Sequence, residues 1–185
     1  GSIANKHIKI LLQLKYTVYS LIKSDDEKKR FSKNFLKKIK FINNIKSINP
    51  DNIFFVIIAS STYKHSNEIN FFLKKRINIF CEKPISNNLK SLQNIRKKII
   101  DNKIYFYVNY QLKKNNLVKK FMSKIKGNKI YHINARVGYN LKYWRKNKIR
   151  KSSYYINTRK GGGVIFELVH EINLIRYIFG DISNI

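Results

Sequence analysis

A glycine-rich turn followed by a histidine between acidic residues is the motif that points most directly to chemistry. It consists of Gly161-Gly162-Gly163, Glu167, His170 and Glu171. Spacings of three and four residues place the last three side chains on one face of a helix. A carboxylate beside a histidine tunes the imidazole for acid–base catalysis, and adjacent glycines let the backbone approach a ligand closely. The motif therefore favours a site of proton transfer.

The same residues also have a purely structural interpretation. Acidic residues in the first turn of a helix interact favourably with the helix dipole, and His170 would then be an ordinary satisfied histidine. A metal site is not expected, because the spacing differs from His-Glu-x-x-His and the sequence has a single cysteine, Cys81.

The segment Cys81-Glu82-Lys83-Pro84 is a second candidate for chemistry. It ends a predicted buried strand at 77–81, and open α/β sheets bind ligands at the carboxyl ends of their strands. Lys83 could act there as an acid or orient the amide of a cofactor. The alternative is a solvated charged turn before the helix expected to start near residues 86–88, and the segment alone favours that alternative.

The first four residues match part of a dinucleotide-binding fingerprint. Gly1 and Ala4 fit the second and third glycine positions of G-x-G-x-x-G/A, and they open a segment with helical spacing of apolar residues. The strand and the first glycine of the fingerprint are absent from the sequence. A cloning remnant, Gly1-Ser2, before an ordinary helix accounts for these residues equally well.

Predicted strands and helices alternate from the start of the sequence to about Val108. Buried strands are expected at 16–22, 53–59, 77–81 and 105–108, and amphipathic helices at 66–75 and 89–101. Such alternation indicates an α/β fold with a Rossmann-like, doubly wound parallel sheet. Residues 1–110 are therefore assigned to a domain of this kind.

Residues 111–185 follow a different pattern. A helix is predicted at 116–124, a strand at 129–137, and a helix at 167–179 that ends at Gly180. One strand cannot form a stable sheet by itself. This region is therefore interpreted as the beginning of an incomplete α+β domain.

The chain of 185 residues is strongly basic, with a formal net charge of +29. This charge would suit a nucleic-acid-binding protein, but its 31 lysines are scattered along the chain and outnumber its 8 arginines. Arginine is the residue that proteins prefer for contacts to phosphates and bases. We therefore expect non-specific attraction to polyanions and no specific nucleic-acid partner.

Composition also excludes several other classes of protein. An apolar content of 43% and an aromatic content of 14% argue against a disordered chain. The longest apolar run, 53–59, is far shorter than the ~20 residues that a membrane-spanning helix needs. A single cysteine excludes an intrachain disulfide. These features predict a globular cytoplasmic protein without a membrane partner.

Taken in order along the chain, the motifs resemble the Gfo/Idh/MocA family, which includes glucose–fructose oxidoreductase and inositol dehydrogenase. They are the Gly-x-x-Ala opening with His7 three residues on, Ala59-Ser60-Ser61-Thr62-Tyr63-Lys64-His65, Cys81-Glu82-Lys83-Pro84 and the glycine–histidine motif described above. The Glu-Lys-Pro segment and the glycine–histidine motif are the most specific of these motifs. The resemblance runs the length of the chain. The segment 137–145 resembles the branch of the family that handles sugars and sugar nucleotides.

The resemblance implies an NAD(P)-dependent oxidoreductase that transfers a hydride between the nicotinamide and a hydroxyl-bearing carbon of a sugar, sugar nucleotide or polyol. It implies three catalytic residues: Lys83 beside the nicotinamide, His170 as proton donor or acceptor, and Glu167 as the acidic companion of His170. The cofactor-binding residues would be Gly1, Ser2, Ile3, Lys23, Ser24, Ser60, Ser61, Thr62, His65, Glu82, Lys83 and Pro84. The substrate would contact Asn109, Tyr110, Trp144, Arg145 and His170.

The residues after the second strand of such a fold bear on the choice between NAD and NADP. An acidic residue about 20 residues after the glycines usually grips the ribose 2′-hydroxyl of NAD. Lys23 and Ser24 stand at that place, and a cation suits the 2′-phosphate of NADP better. The sequence therefore predicts a mild preference for NADP.

The sequence departs from the family pattern at several positions. Ser61 stands where the family often has proline, Asn173 replaces a common aspartate, and Glu167 lies one residue closer to the histidine than the usual aspartate. Family members are also much longer and often pair through the second domain, so a homo-oligomer is implied for the intact enzyme. A nucleotide-binding protein without catalytic activity therefore stays an alternative, and a basic nucleic-acid-binding module a weaker one.

Overall fold

The computed structural model describes residues 2–22, 28, 31, 33–138, 140 and 157–184. Short strands and helices alternate through its first 108 residues. The strands are β1 (Val18–Leu21), β2 (Ile39–Ile42), β3 (Phe55–Ile58), β4 (Asn78–Cys81) and β5 (Phe106–Val108), and the helices between and around them are α1 (Ser2–Gln13), α2 (Lys33–Leu36), α3 (Thr62–Lys74) and α4 (Leu89–Asn102). Every strand pair is parallel. The predicted Rossmann-like α/β fold is thereby confirmed.

The parallel strands form two hydrogen-bonded groups, β1–β2 and β3–β4–β5. The edges of β1 and β3 that face away from these partners pair with no strand among the described residues. In the strand order of a doubly wound sheet, the strand between two such groups is the one that leads into the first helix. Here α1 itself connects the groups, because it packs on β1 through Ile8 and its His7 reaches the end of β4.

The main hydrophobic core lies between β3–β5 and the two helices α3 and α4. It contains Ile58, Ile69, Phe72, Leu73, Ile77, Ile79, Cys81, Ile95 and Ile104. A smaller core, formed by Ile8, Val18 and Ile39, lies under α1. Helical spacing predicts that Ile69, Phe72 and Leu73 lie on the buried face of α3, and they do. The same spacing predicts that Leu89 and Ile100 of α4 face inward, but both are exposed. Leu89 is the first residue of that helix and so lies beyond the edge of the core.

Sequence patterns miss β2, because Lys40 interrupts its apolar residues and Ile39 is the one residue of the strand that is fully buried. Ser24 and Glu27 have the spacing of a capping box and predict a helix through about Phe35. Most of that helix lies outside the described residues, and α2 is the described part near its end. β2 is therefore recognised by its hydrogen bonds to β1 and not by its sequence pattern.

The region after β5 is helical where the structure describes it. Its helices are α5 (Asn116–Ile125), α6 (Val164–Glu167) and α7 (Val169–Phe179). The prediction of one helix over 167–179 is corrected to two, because the chain bends at Leu168 between α6 and α7. Gly180 ends α7 with φ of 95°, as expected for a glycine at a helix end.

The predicted strand at 129–137 is wrong. The described residues 128–138 are exposed and belong to no strand or helix. A strand needs a neighbour that satisfies its backbone groups, and no strand among the described residues pairs with this segment. The division of the chain near residue 110 stays a prediction. Among the described helices, none has the length and apolar character to cross a membrane.

Candidate active site

The carboxyl ends of β3, β4 and β5 lie side by side and carry several of the motif residues. The backbone N–H of Glu82 donates to the Ile58 carbonyl at 2.9 Å, and the N–H of Asn109 donates to the Cys81 carbonyl at 2.9 Å. These two hydrogen bonds continue the parallel pairing one residue past the strands. They fix the start of the Glu82–Pro84 turn against the neighbouring strand ends.

Lys83 connects this turn to the glycine–histidine motif. Its ammonium Nζ donates a hydrogen bond of 2.9 Å to the backbone carbonyl of Glu167, which lies 84 residues further along the chain. The peptide bond from Lys83 to Pro84 is cis. The structure therefore brings together the two motifs that the sequence marked as the most specific.

Glu82 is buried beneath this turn, and its carboxylate receives two hydrogen bonds. His7 Nε2 lies 2.6 Å and Asn109 Nδ2 2.8 Å from the same oxygen, Oε1. Burial raises the pKa of Glu82, but the hydrogen bonds from His7 and Asn109, the attraction of His7 and a backbone hydrogen bond from Lys83 outweigh burial and lower the pKa overall. Glu82 is therefore ionised at neutral pH, with one oxygen bound inside the protein.

His65 lies under the other side of the turn and is 1% exposed. Its Nδ1 lies 2.8 Å from the Pro84 carbonyl and its Nε2 3.1 Å from the Ser60 carbonyl. Both carbonyls are acceptors, and a neutral imidazole, with one N–H, donates to one of them at a time. His65 thus contacts the two backbone segments that the resemblance places at the cofactor, while its own ring is enclosed.

Cys81 is the buried neighbour of these groups. Its thiol donates to the Glu82 carbonyl at 3.2 Å. Burial, together with the charges of Glu82 and Glu68, raises its pKa to about 12. The thiol therefore stays protonated and belongs to the core of the domain.

The glycine-rich turn packs on the start of α3. Gly161 has φ of 80°, and a Cβ atom at this position would lie 2.7 Å from Cβ of Thr62. Thr62 is itself buried. The segment before the glycines is also bound to the loop between β4 and α4, because the side-chain amide of Asn87 donates to the Arg159 carbonyl at 2.9 Å.

The two serines before α3 differ in their contacts. Ser60 is exposed, and its hydroxyl donates to Glu68 Oε2 at 2.6 Å. Ser61 is the N-cap residue of α3, with no hydrogen bond from its side chain to the helix. Both residues lie at the carboxyl end of β3, on the edge where Lys83 is found.

His170 lies near Lys83 and against the ring of Tyr110, with ring centroids 6.0 Å apart in an edge-to-face arrangement. Burial and the positive charge of Lys83 lower the pKa of His170, while Glu171 and Glu82 oppose that shift. The imidazole is therefore neutral at pH 7. Burial also raises the pKa of the Tyr110 hydroxyl; Arg176 opposes and Cys81 adds to that effect.

Three buried polar atoms at the start of α7 make no hydrogen bond to any other residue that the structure describes. They are His170 Nδ1, Glu171 Oε2 and Asn173 Oδ1. A buried polar atom without a partner costs ~1–3 kcal/mol, so such atoms mark places where a bound group can bond. Two acceptor oxygens, an imidazole nitrogen and the ammonium of Lys83 suit a ligand that carries hydroxyl groups. Among the described residues, no cluster of His, Cys, Asp or Glu is arranged to hold a metal ion.

Some of the residues that the sequence marked cannot be placed in this site. Gly1, Lys23, Ser24, Trp144 and Arg145 lie outside the described residues. Ser2 and Ile3 form the first turn of α1, where Ser2 is exposed. Pro84 is buried with its carbonyl toward His65. The bonding roles of His7 and Asn109 toward Glu82 were not anticipated, because no local spacing signals pairs that are 75 and 27 residues apart.

The Rossmann-like domain thus carries a lysine and a histidine near the carboxyl edge of its parallel sheet, which is the edge where open α/β sheets bind ligands. The sequence matches the family model GFO_IDH_MocA, described as an oxidoreductase family with an NAD-binding Rossmann fold, over residues 1–110. The match covers more than half of the chain, and the chain belongs to this family. Among curated proteins, no significant match was found.

Solved structures with the same fold include dehydrogenases in complex with their ligands. The dehydrogenase WlbA (WbpB) from Thermus thermophilus, with NAD and alpha-ketoglutarate, has a TM-score of 0.77 at 18% identity, covering 100% of this chain and 61% of that one. The same enzyme in complex with NAD and UDP-GlcNAcA has a TM-score of 0.77 at 18% identity, covering 100% of this chain and 62% of that one. Levoglucosan dehydrogenase with NADH and levoglucosan has a TM-score of 0.71 at 17% identity, covering 90% and 46%. This chain therefore spans less than two thirds of the length of these proteins.

Replacing Gly161 by alanine should separate the cost of a left-handed backbone from the cost of the contact with Thr62. Gly127 is the matched control, since its φ of 83° is similar and no atom lies within 4 Å of an added Cβ. We expect G127A to lower the free energy of unfolding by ~1–2 kcal/mol and G161A by a further ~1–3 kcal/mol. Urea unfolding measures both; equal losses would show that Gly161 does not pack on Thr62.

The electrostatic neighbours of His170 can be tested by histidine NMR titration. K83M removes a positive charge and should raise the pKa of His170, whereas E171Q removes a negative charge and should lower it. E167Q in the same series shows whether Glu167 also acts on the imidazole. A pKa that does not change in K83M would contradict the proximity of Lys83 and His170.

Proposed function

We propose that the chain is part of an NAD(P)-dependent oxidoreductase that moves a hydride between the nicotinamide and a hydroxyl-bearing carbon of a sugar, sugar nucleotide or polyol. The observation that carries the proposal is the hydrogen bond of Lys83 to the Glu167 carbonyl. It holds a cation and, three residues after Glu167, an imidazole at the edge of the parallel sheet where open α/β folds bind ligands.

His170 is proposed to take the proton from the substrate hydroxyl when the alcohol is oxidised and to return it in the reverse direction. Its lowered pKa supports this role, because a neutral imidazole at pH 7 has a lone pair that can accept a proton. When bound, the nicotinamide accepts or supplies the hydride. The ring of Tyr110 lies edge-to-face against the imidazole, with ring centroids 6.0 Å apart.

Lys83 is proposed to stabilise the negative charge that develops on the substrate oxygen. A positioned ammonium group in a partly buried site stabilises such charge more strongly than it would in water. The side chain of Glu167 is proposed as the acidic companion of His170, as the resemblance implies, while its backbone carbonyl holds Lys83. The oxygen atoms of Glu171 and Asn173 that have no partner among the described residues are suited to bind hydroxyl groups of a sugar.

The class of substrate is supported by the ligands of structurally similar dehydrogenases. WlbA was solved with UDP-GlcNAcA and levoglucosan dehydrogenase with levoglucosan. Asn109, Tyr110, Trp144 and Arg145 are proposed to contact such a substrate. Ser2, Ile3, Ser60, Ser61 and Thr62 are proposed to line the cofactor together with Gly1. A homo-oligomer is proposed for the intact enzyme.

NADP is proposed as the mildly preferred cofactor because of Lys23 and Ser24. A titration of NADPH and NADH side by side, followed by the fluorescence of the reduced nicotinamide, tests this choice. We expect NADPH to bind more tightly, with K23E reversing the order because a carboxylate repels the 2′-phosphate. Equal or tighter binding of NADH to the unmodified chain would contradict the preference.

Turnover separates the proposed enzyme from a protein that only binds nucleotides. With sugars, polyols and UDP-sugars as substrates, K83A and H170A should each lower the rate of nicotinamide reduction by ~100-fold or more. Binding of the reduced cofactor should persist in both variants, since the proposed roles concern the substrate.

Lys90 supplies the control for the loss of a positive charge, because it is an exposed lysine on α4. K90A should match the unmodified chain in rate and in cofactor binding. Rates close to that of the unmodified chain in both K83A and H170A would reject the assigned roles. Cofactor binding without any turnover would favour the alternative of a non-catalytic nucleotide-binding protein, and tighter binding of duplex DNA than of cofactor would favour a nucleic-acid-binding protein.

A further inference from the structure

We propose that His7, Glu82 and Asn109 form a positioning cluster that holds Lys83 at the active site. The inference rests on the proposed function, because it assigns a purpose to the buried residues next to the proposed catalytic lysine. Asn109 is also proposed to contact the substrate, and in this cluster its side-chain amide binds Glu82. The three residues act on Lys83 through the backbone of the turn that carries it.

The cluster joins three elements that are distant in sequence. His7 lies in α1, Glu82 directly follows β4, and Asn109 directly follows β5. Both hydrogen bonds end on the same oxygen, Glu82 Oε1, at 2.6 Å from His7 and 2.8 Å from Asn109. The side chains of His7 and Glu82 are 14% and 11% exposed. One carboxylate oxygen therefore ties the first helix to the ends of two strands.

The ionised carboxylate of Glu82 decides which groups of the cluster donate hydrogen bonds and which accept them. Glu82 is a carboxylate and can only accept, so His7 must carry its proton on Nε2 and Asn109 must present its amide nitrogen. Hydrogen bonds to an ionised group are shorter and stronger than those between neutral groups. The lowered pKa of Glu82 agrees with this assignment.

Lys83 is the next residue after Glu82, and its backbone is held on both sides. On one side the Glu82 side chain is bound by the cluster and its N–H donates to Ile58. On the other side the Pro84 carbonyl contacts His65 at 2.8 Å. The Lys83 side chain leaves this fixed turn and reaches the Glu167 carbonyl. Displacement of a catalytic group by about 1 Å can cost ~100-fold in rate, so a fixed turn has a functional consequence.

Stability alone does not explain a buried carboxylate at this place. Replacing a buried ionic group by apolar residues of similar volume is often neutral or stabilising. The cluster instead lies directly behind the one turn that carries the proposed catalytic lysine. A positioning role therefore predicts an effect on Lys83 that a merely structural role would not produce.

The signals of lysine ammonium groups in a ¹⁵N-lysine-labelled sample test the proposal directly. A hydrogen-bonded, half-buried ammonium exchanges its protons slowly with water and gives a separate signal, which K83R would assign to Lys83. Lys98 is the internal control, because its Nζ donates to Asn70 Oδ1 at 2.6 Å between α3 and α4, away from the turn. Its signal reports whether each variant is folded.

We expect H7L to speed exchange of the Lys83 ammonium protons by about 10-fold or more, since it removes a hydrogen bond to a charged group. The Lys98 signal should not change. H7Q should restore slow exchange, because the glutamine amide nitrogen can donate to Glu82 from nearly the same place. If H7L also loses the Lys98 signal, N109A removes the other hydrogen bond and should speed exchange at Lys83 in the same way.

Unchanged exchange at Lys83 in folded H7L or N109A, or failure of H7Q to restore slow exchange, would overturn the proposal. The proposed function is tested separately by NADH and NADPH titration of the same samples. Absence of cofactor binding in the unmodified chain, with exchange at Lys83 still dependent on His7, would reject the proposed function and leave the positioning role in place.

Discussion

The hydrogen bond from the Lys83 ammonium to the Glu167 carbonyl is the contact on which the candidate site depends. It joins a turn at the end of β4 to the segment that leads into α7, across 84 residues of chain. The contacts of Asn87 with Arg159 and of Gly161 with Thr62 join the same two parts of the chain, and this bond places the Lys83 ammonium beside the segment that carries His170. Burial and the positive charge of Lys83 lower the pKa of His170, and an imidazole that is neutral at pH 7 suits the general-base role proposed for it.

Several buried polar contacts support this one interaction. His7 and Asn109 bind the carboxylate before Lys83, and His65 contacts the carbonyl after it. The close approach of Gly161 to Thr62 holds the glycine-rich turn against the same domain. The apolar core lies below, between the three-stranded sheet and α3 and α4. Hydrophobic packing thus fixes the strands, and directional hydrogen bonds fix the groups at their ends.

Sequence reasoning predicts the parts of this arrangement that have a local signal. Alternating apolar segments predict β3, β4 and the buried face of α3, and the Glu-Lys-Pro and glycine–histidine motifs mark the site. Contacts between distant residues have no such signal, so the bonds of Glu82 to His7 and Asn109 are found only in the structure. The incorrect prediction of a strand at 129–137 also depends on distant residues. The local sequence favours a strand, but no described strand pairs with it.

Nuclear Overhauser contacts would show whether Lys83 and His170 meet the reactive end of a bound nicotinamide cofactor. The chain has four histidines, so a sample with ¹³C-labelled histidine gives four sets of ring signals. With reduced cofactor bound, we expect contacts from the nicotinamide ring protons to His170 and none to His132, which is exposed. Contacts to His132, or to no histidine while the cofactor is bound, would contradict this placement of the cofactor.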